Sequence, residues 1–257
     1  MGPDLKERLR EGKLCLGLNT PHSRTPEIAP ILRTCGFHWM LIDAEHHPMP
    51  MGRAYEIALA AIRAGIFPFV RPRTNSAHEI GAHLTNGALG VLVPHVNTEE
   101  QAVAAARASR YSPRGDLSVP GVITQFGYDV PLTEAAERFN REALCIAMIE
   151  SREAVSNVEK IAAVDGIDGL LVGMSDLTFE MGIPGGYGHP DTQAAVERVC
   201  RAAKAQGKFV GMGGVKAPED WKRYMKMGVR MVMTENDLSM LIARMKDRAA
   251  YFSDLLD

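Results

Sequence analysis

Short apolar runs alternate with longer segments of helical spacing along this chain. The runs cover residues 14–19, 39–43, 67–71, 90–95, 144–150, 168–173, 208–213 and 229–234. Each is too short and too evenly apolar to keep a solvent face, as expected of parallel strands covered by helices on both sides. Helical spacing occupies 25–35, 51–64, 77–86, 98–109, 152–164, 191–206, 217–227 and 237–256. Several of these open well: Thr25-Pro26-Glu27, Asn97-Thr98-Glu99-Glu100 and Ala217-Pro218-Glu219-Asp220 place acids in the first turn, two of them with an early proline. Strand–helix alternation repeated eight times predicts an α/β fold, a (β/α)8 TIM barrel spanning 1–257 as one domain. A doubly wound sheet is the alternative, and it lacks its Gly-rich fingerprint after the first strand.

Two connections exceed simple turns. Residues 110–143 contain a polar helix around 134–141 and follow a helix, so they start at the bottom of the barrel. Residues 174–190 leave the sixth strand at the top and are expected to border the mouth as a long loop.

Composition narrows the function. The 257 residues carry a net charge of -2, with 46% apolar and 23% charged positions. That balance gives no electrostatic footprint for nucleic acid. No apolar stretch reaches the roughly 20 residues of a membrane span, and the mixed-charge N-terminus has no secretion-signal pattern. Cys15, Cys35, Cys145 and Cys200 lack metal-type spacing and read as reduced thiols of a cytoplasmic protein.

The candidate chemistry sits where apolar runs stop. Glu150 ends the fifth run, and Asp176 follows the sixth. Two carboxylates on neighbouring strands suit a hard divalent cation that keeps open positions for water and substrate. An acid such as Asp176 can alternatively cap the helix that follows. Asp43-Ala-Glu45-His46-His47-Pro48 ends the second run and offers a carboxylate to orient an imidazole base, His46 ahead of His47. Arg71 ends the third run and suits a substrate carboxylate or enolate oxygen, or an ion pair with Asp43 or Glu45. These parts fit polarisation of a 2-oxo acid and proton transfer beside its carbonyl. A Schiff-base route lacks a strand lysine; Lys216, just past strand seven, is the one candidate.

The chain also resembles a known family. Thr25-Pro-Glu-Ile-Ala, Trp39-Met-Leu-Ile-Asp-Ala-Glu-His-His-Pro, Val70-Arg-Pro, Leu92-Val-Pro, Tyr111-Ser-Pro-Arg-Gly, Ile149-Glu150 and Val172-Gly-Met-Ser-Asp-Leu occur in order. They are similar to the HpcH/HpaI-type class II pyruvate aldolases, which include 4-hydroxy-2-oxoheptanedioate and 2-dehydro-3-deoxyglucarate aldolases. The resemblance implies reversible cleavage of a 4-hydroxy-2-oxo acid into pyruvate, or a close 2-oxo acid, and an aldehyde. It makes Glu150 and Asp176 the ligands of Mg²⁺, Mn²⁺ or Co²⁺, and His46 with Asp43 a base dyad. Arg71 becomes the enolate-binding arginine, and Glu45 a supporting acid. Backbone amides of Gly173, Met174 and Ser175 become the carboxylate-binding turn. It further implies a homo-oligomer, hexamer or trimer, whose last helix packs on a neighbour. Three departures stand out: Met148 where relatives commonly carry Gln, Asp116-Leu-Ser-Val-Pro-Gly after Arg114-Gly115, and His95 where an apolar residue is common. Rival readings are another metal–enolate lyase or decarboxylase, a phosphate-binding barrel built on Gly211-Met-Gly-Gly-Val-Lys216, and a non-catalytic metabolite-binding barrel.

Overall fold

Eight parallel strands pair with their sequence neighbours, and the first closes on the last, making a barrel in the order β1 to β8. In the computed structural model, which describes residues 4–255, they are β1 (Cys15–Asn19), β2 (Trp39–Asp43), β3 (Phe67–Arg71), β4 (Gly90–Val93), β5 (Leu144–Ile149), β6 (Gly169–Gly173), β7 (Phe209–Gly213) and β8 (Val229–Asn236). The twelve described helices are α1 (Leu5–Arg10), α2 (Ile28–Thr34), α3 (Met51–Ala64), α4 (Ala77–Thr85), α5 (Glu99–Ala108), α6 (Leu132–Glu142), α7 (Arg152–Ser156), α8 (Val158–Ala163), α9 (Met174–Glu180), α10 (Pro190–Ala205), α11 (Pro218–Met227) and α12 (Asp237–Ser253). The expected (β/α)8 barrel is therefore the observed one.

Close packing follows from size matching between strands. Trp39, Phe69 and Phe209 are the register partners of Gly17, Gly90 and Gly169. A Cβ added to Gly17 would lie 1.9 Å from the Trp39 ring, and one added to Gly90 or Gly169 would lie 2.5 Å from a phenyl carbon. Each large aromatic thus occupies the volume its glycine partner leaves free, which is how a core of fixed strand spacing reaches crystal-like density. Trp39 also satisfies its indole N–H on the Cys15 carbonyl at 3.2 Å.

Several elements differ from the expected pattern, each for a local reason. The run 90–95 ends as a strand at Val93, because Pro94 has no N–H to give the ladder and His95 takes a positive φ of 53°. The helix expected over 152–164 divides into α7 and α8 at Asn157, whose side-chain amide donates to the Asn97 carbonyl at 2.8 Å. The connection 174–190 is not wholly loop: its first seven residues form α9, too short for periodicity to reveal. Helix α1 carries only two buried apolar residues, Leu5 and Leu9, and so gave no pattern. The end of the expected helix 237–256, at residue 256, lies outside the described residues. Three cysteines are buried and Cys35 is exposed, all free. Among the described residues no helix is long and apolar enough to cross a membrane.

The bottom of the barrel is tied by one carboxylate. Asp168 accepts from Arg110 Nη2 at 2.5 Å, from Lys6 Nζ at 3.2 Å and from the Cys145 N–H at 2.9 Å. The long segment after α5 thus starts at the bottom, as expected, and Gln125 returns it there by donating to the carbonyls of Leu84 and Ala88. Arg110 is almost wholly buried, so removing its partner strands a charge in a poorly solvated place. Asp168→Ala is expected to cost about 3 kcal/mol, read as a lowered urea midpoint with unchanged slope. A loss below about 0.5 kcal/mol would place the pair among ordinary surface bridges instead.

Candidate active site

The C-terminal ends of β2 to β6 deliver the candidate residues to one end of the barrel. Asp43 and Arg71 are register partners at the last positions of β2 and β3. Arg71 Nε donates to Asp43 Oδ1 at 3.0 Å and Nη2 donates to Oδ2 at 2.6 Å, a bidentate fork between two buried side chains. Its Nη1 lies 3.0 Å from Glu45 Oε2. Three of the five guanidinium N–H groups are thereby engaged, and two remain for a ligand. Burial alone would raise the Asp43 carboxyl, but the Arg71 fork and the His47 contact outweigh it and hold the group below its ordinary value.

The histidines divide differently from the expected dyad. Asp43 Oδ1 accepts the N–H of Glu45 at 3.1 Å and, more weakly, that of His46 at 3.5 Å. This side-chain-capped turn folds the chain back on itself. The imidazole it returns to the carboxylate is that of His47, with Nδ1 3.1 Å from Asp43 Oδ2. The His46 ring instead lies with Nε2 3.5 Å from Glu45 Oε2 and is 58% exposed at the mouth. The side-chain pair expected between Asp43 and His46 is thus not formed; Asp43 reaches His46 only through its backbone.

Glu150 follows β5 and is almost wholly buried. Its Oε1 accepts the N–H of His95 at 2.7 Å, and the His95 Nδ1 lies 3.3 Å away. His95 Nε2 lies 3.1 Å from Glu45 Oε1, so one imidazole spans both acids. Desolvation pushes the Glu150 carboxyl up, with the charges of Asp176 and Glu45 adding to the shift and His95 opposing it. Asp176 stands in the first turn of α9, exposed at the mouth. Gly173 ends β6 beside Glu150: a Cβ there would come within 2.8 Å of Glu150 Oε2. The Met148 methyl would lie 3.6 Å from that added Cβ.

This donor set fits a hard divalent cation. Glu150 is disfavoured as a bare anion, its recorded hydrogen bond is at Oε1, and Gly173 leaves room at Oε2. Among the described residues no three His, Cys, Asp or Glu side chains form a metal cluster. The protein side would therefore be the carboxylate pair, as Mg²⁺-type sites that keep waters and substrate require.

Beside Ser175 lies a cavity of 510 Å³ lined from the ends of β1 and β8 and from the segments that follow β6 and β7, its lining including Asn19, Ser175, Tyr187, Lys216, Trp221 and Asn236. Asn19 Oδ1 is buried there without a hydrogen-bond partner. Three further polar residues stand at this end of the barrel: His95, expected only as a departure, His47, expected behind His46, and Asn19. The rule that found Glu150, a polar group where an apolar strand run stops, also marks Asn19 and His95.

Replacing Asp43 with Asn should leave Arg71 with Glu45 alone and cost about 3 kcal/mol. The Asp43 pKa is depressed in the folded state, so its contribution is complete above its ordinary value of 3.8 and is lost as pH falls through the folded value. Urea titrations should show a constant gap between wild type and Asp43→Asn from neutral pH to about 5, closing below that. A gap that closes near neutral pH would contradict this ion pair.

Comparison with known proteins places the chain. Residues 21–243 match the HpcH/HpaI aldolase/citrate lyase family. The chain is 33% identical over 251 residues to a hydroxypyruvate/pyruvate aldolase of Sagittula stellata, covering 96% of this chain and 97% of that protein. It is 32% identical over 247 residues to a 2-keto-3-deoxy-L-rhamnonate aldolase of Shigella sonnei, covering 96% and 92%. Its fold superimposes on the crystal structure of an HpcH/HpaI aldolase from Desulfitobacterium hafniense with a TM-score of 0.90 at 26% identity, over 98% and 97% of the two chains. With its motifs, its barrel and its full-length relatives in agreement, the chain belongs to the HpcH/HpaI aldolase/citrate lyase family of carbon–carbon lyases.

Proposed function

We propose that this enzyme is a divalent-metal-dependent aldolase that reversibly cleaves a 4-hydroxy-2-oxo acid into pyruvate, or a close 2-oxo acid, and an aldehyde. The observation that carries the reading is the buried, cation-seeking Glu150 beside Asp176, at one barrel end with the Arg71 guanidinium. Glu150 and Asp176 would hold Mg²⁺, Mn²⁺ or Co²⁺, which supplies Lewis-acid polarisation of the 2-oxo group when bound. The first backbone N–H groups of α9, at Met174 and Ser175, have no partner within the helix and suit the substrate carboxylate, with Gly173 allowing close approach. Arg71, with two N–H groups unused, stabilises negative charge growing on the keto oxygen. Glu45 holds Arg71 Nη1 in place.

In cleavage the exposed His46 imidazole takes the proton of the 4-hydroxyl. The C3–C4 bond then breaks, its electron pair enters the 2-oxo acid as an enolate, and the C4 oxygen becomes the aldehyde carbonyl. Protonation of the enolate at C3 completes pyruvate. A second reading assigns the base to His47, because its ring is the one Asp43 orients. The cavity beside Ser175 would take the remainder of the substrate chain, and its polar lining of Asn19, Lys216 and Asn236 suits hydroxyl groups. Its location is proposed as cytoplasmic, in keeping with four free thiols.

Exchange of the pyruvate methyl protons in D₂O tests enolisation without knowledge of the aldehyde. Wild type should exchange them with Mg²⁺ or Mn²⁺ and stop on chelation, and Glu150→Ala or Asp176→Ala should abolish exchange. Retained exchange in either variant would sink the assignment, as would a wild type that exchanges the protons of neither pyruvate nor a close 2-oxo acid. For cleavage of a short 4-hydroxy-2-oxo acid, His46→Ala should lose roughly 10²- to 10⁴-fold in rate, with His47→Ala milder. The reverse ranking would move the base to His47.

We also infer a homo-oligomer, trimer or hexamer, in which α12 packs on a neighbouring copy. No described residue of α12 is buried, yet Leu241, Met245 and Phe252 are 53%, 60% and 57% exposed on it. Apolar side chains on a 17-residue helix are costly to leave in water. Light scattering after gel filtration should give an oligomer mass for wild type and a smaller one for Leu241→Glu/Met245→Glu. A monomeric wild type would overturn the inference.

A further inference from the structure

We propose that His95 is a positioning residue for the metal-binding carboxylate: it holds Glu150 by Oε1 and thereby leaves Oε2 as the oxygen that takes the cation. This rests on the metal-dependent reading of the site. Pro94 ends β4, and His95 then turns the backbone at φ 53°, the one positive φ of a non-glycine residue among those described. Residues with a side chain rarely adopt that region, and His is among the few that do so more readily. The turn is held on both sides of the residue. Its N–H donates to Glu150 Oε1 at 2.7 Å, and its carbonyl accepts from Asn75 Nδ2 at 3.0 Å. The ring then lies with Nδ1 3.3 Å from Glu150 Oε1 and Nε2 3.1 Å from Glu45 Oε1.

Two consequences follow from those contacts. Oε1 of Glu150 already accepts the His95 N–H, with the ring Nδ1 3.3 Å away, whereas Oε2 faces the space that Gly173 leaves by lacking a Cβ. Glu150 is therefore preset to bind through one oxygen, and its rotamer is chosen before any cation arrives. Groups that orient a ligand in this way typically change metal affinity by roughly 10- to 100-fold when removed. His95 also links Glu150 to Glu45 and so to Arg71, joining the cation side of the site to the enolate-binding side.

Mn²⁺ binding, followed by calorimetry and by electron paramagnetic resonance of the bound ion, tests this without turnover. His95→Gly permits the positive φ and keeps the N–H, so it removes the imidazole alone; His95→Asn also tolerates that φ and offers a side-chain amide. We expect His95→Gly to weaken Mn²⁺ binding by roughly 10-fold or more and to alter the resonance spectrum, with His95→Asn recovering part of both. In pyruvate exchange the Mn²⁺ concentration for half-maximal rate should rise more than the saturated rate falls. Circular dichroism melting checks that both variants fold, and should one fail, the other carries the test. Unchanged affinity and spectrum in a folded variant overturn the role of His95 while leaving the aldolase reading intact. A wild type that binds no Mn²⁺ overturns the metal-dependent reading and this proposal with it.

Discussion

Asp43 and Arg71 face one another as the last paired residues of β2 and β3, and the rest of the site is arranged around that contact. Parallel register delivers the two groups to the same height, so the ion pair is a property of the barrel and not of a flexible loop. It also resolves an electrostatic problem. Asp43, Glu45, Glu150 and Asp176 bring four carboxylates to one end of a poorly solvated barrel, where like charges and burial both oppose ionisation. Arg71 neutralises the β2 side by binding Asp43 and Glu45 together. Among the described residues no arginine or lysine forms an ion pair with Glu150, which is pushed up while Asp43 is held down. Asp43 is held as an anion by the arginine it pairs with, whereas burial and neighbouring carboxylates work against the charge of Glu150.

The barrel was legible because its signal is redundant. Eight apolar runs alternate with segments of helical spacing, several of them stopping at an amide or charged side chain such as Asn19, Asp43, Arg71 or Glu150, and the pattern survives local error in any one of them. Strand ends located Asp43, Arg71 and Glu150 for the same reason. What stayed illegible was the course of the chain after each strand. Nothing in Asp43-Ala-Glu-His-His tells which imidazole the turn will return to the carboxylate; that depends on Asp43 capping the N–H groups of Glu45 and His46. A strict apolar-run argument likewise continued β4 to residue 95, past the proline that halts it, and so counted His95 as strand. α9 and α1 each present too few turns for periodicity to register.

The mouth is divided in a way that bears on how such an enzyme chooses substrates. Asp43, Glu45, Arg71, His95 and Glu150 stand at or just past the ends of β2, β3, β4 and β5 and are linked by direct contacts, with Asp176 just past β6. The cavity is lined from β1 and β8 and from the segments after β6 and β7, and its lining includes none of Asp43, Arg71, His95 or Glu150. Ser175 stands on the border, in the same short turn as Asp176. A substitution on the β7 and β8 side can therefore alter the shape and polarity offered to the remainder of a substrate without touching the ion-paired half. The converse does not hold. Arg71 binds both Asp43 and Glu45, and His95 binds both Glu45 and Glu150, so a change at any one of them reaches the others. The ion-paired half is thus bound together by shared contacts, whereas the residues that line the cavity take part in none of them.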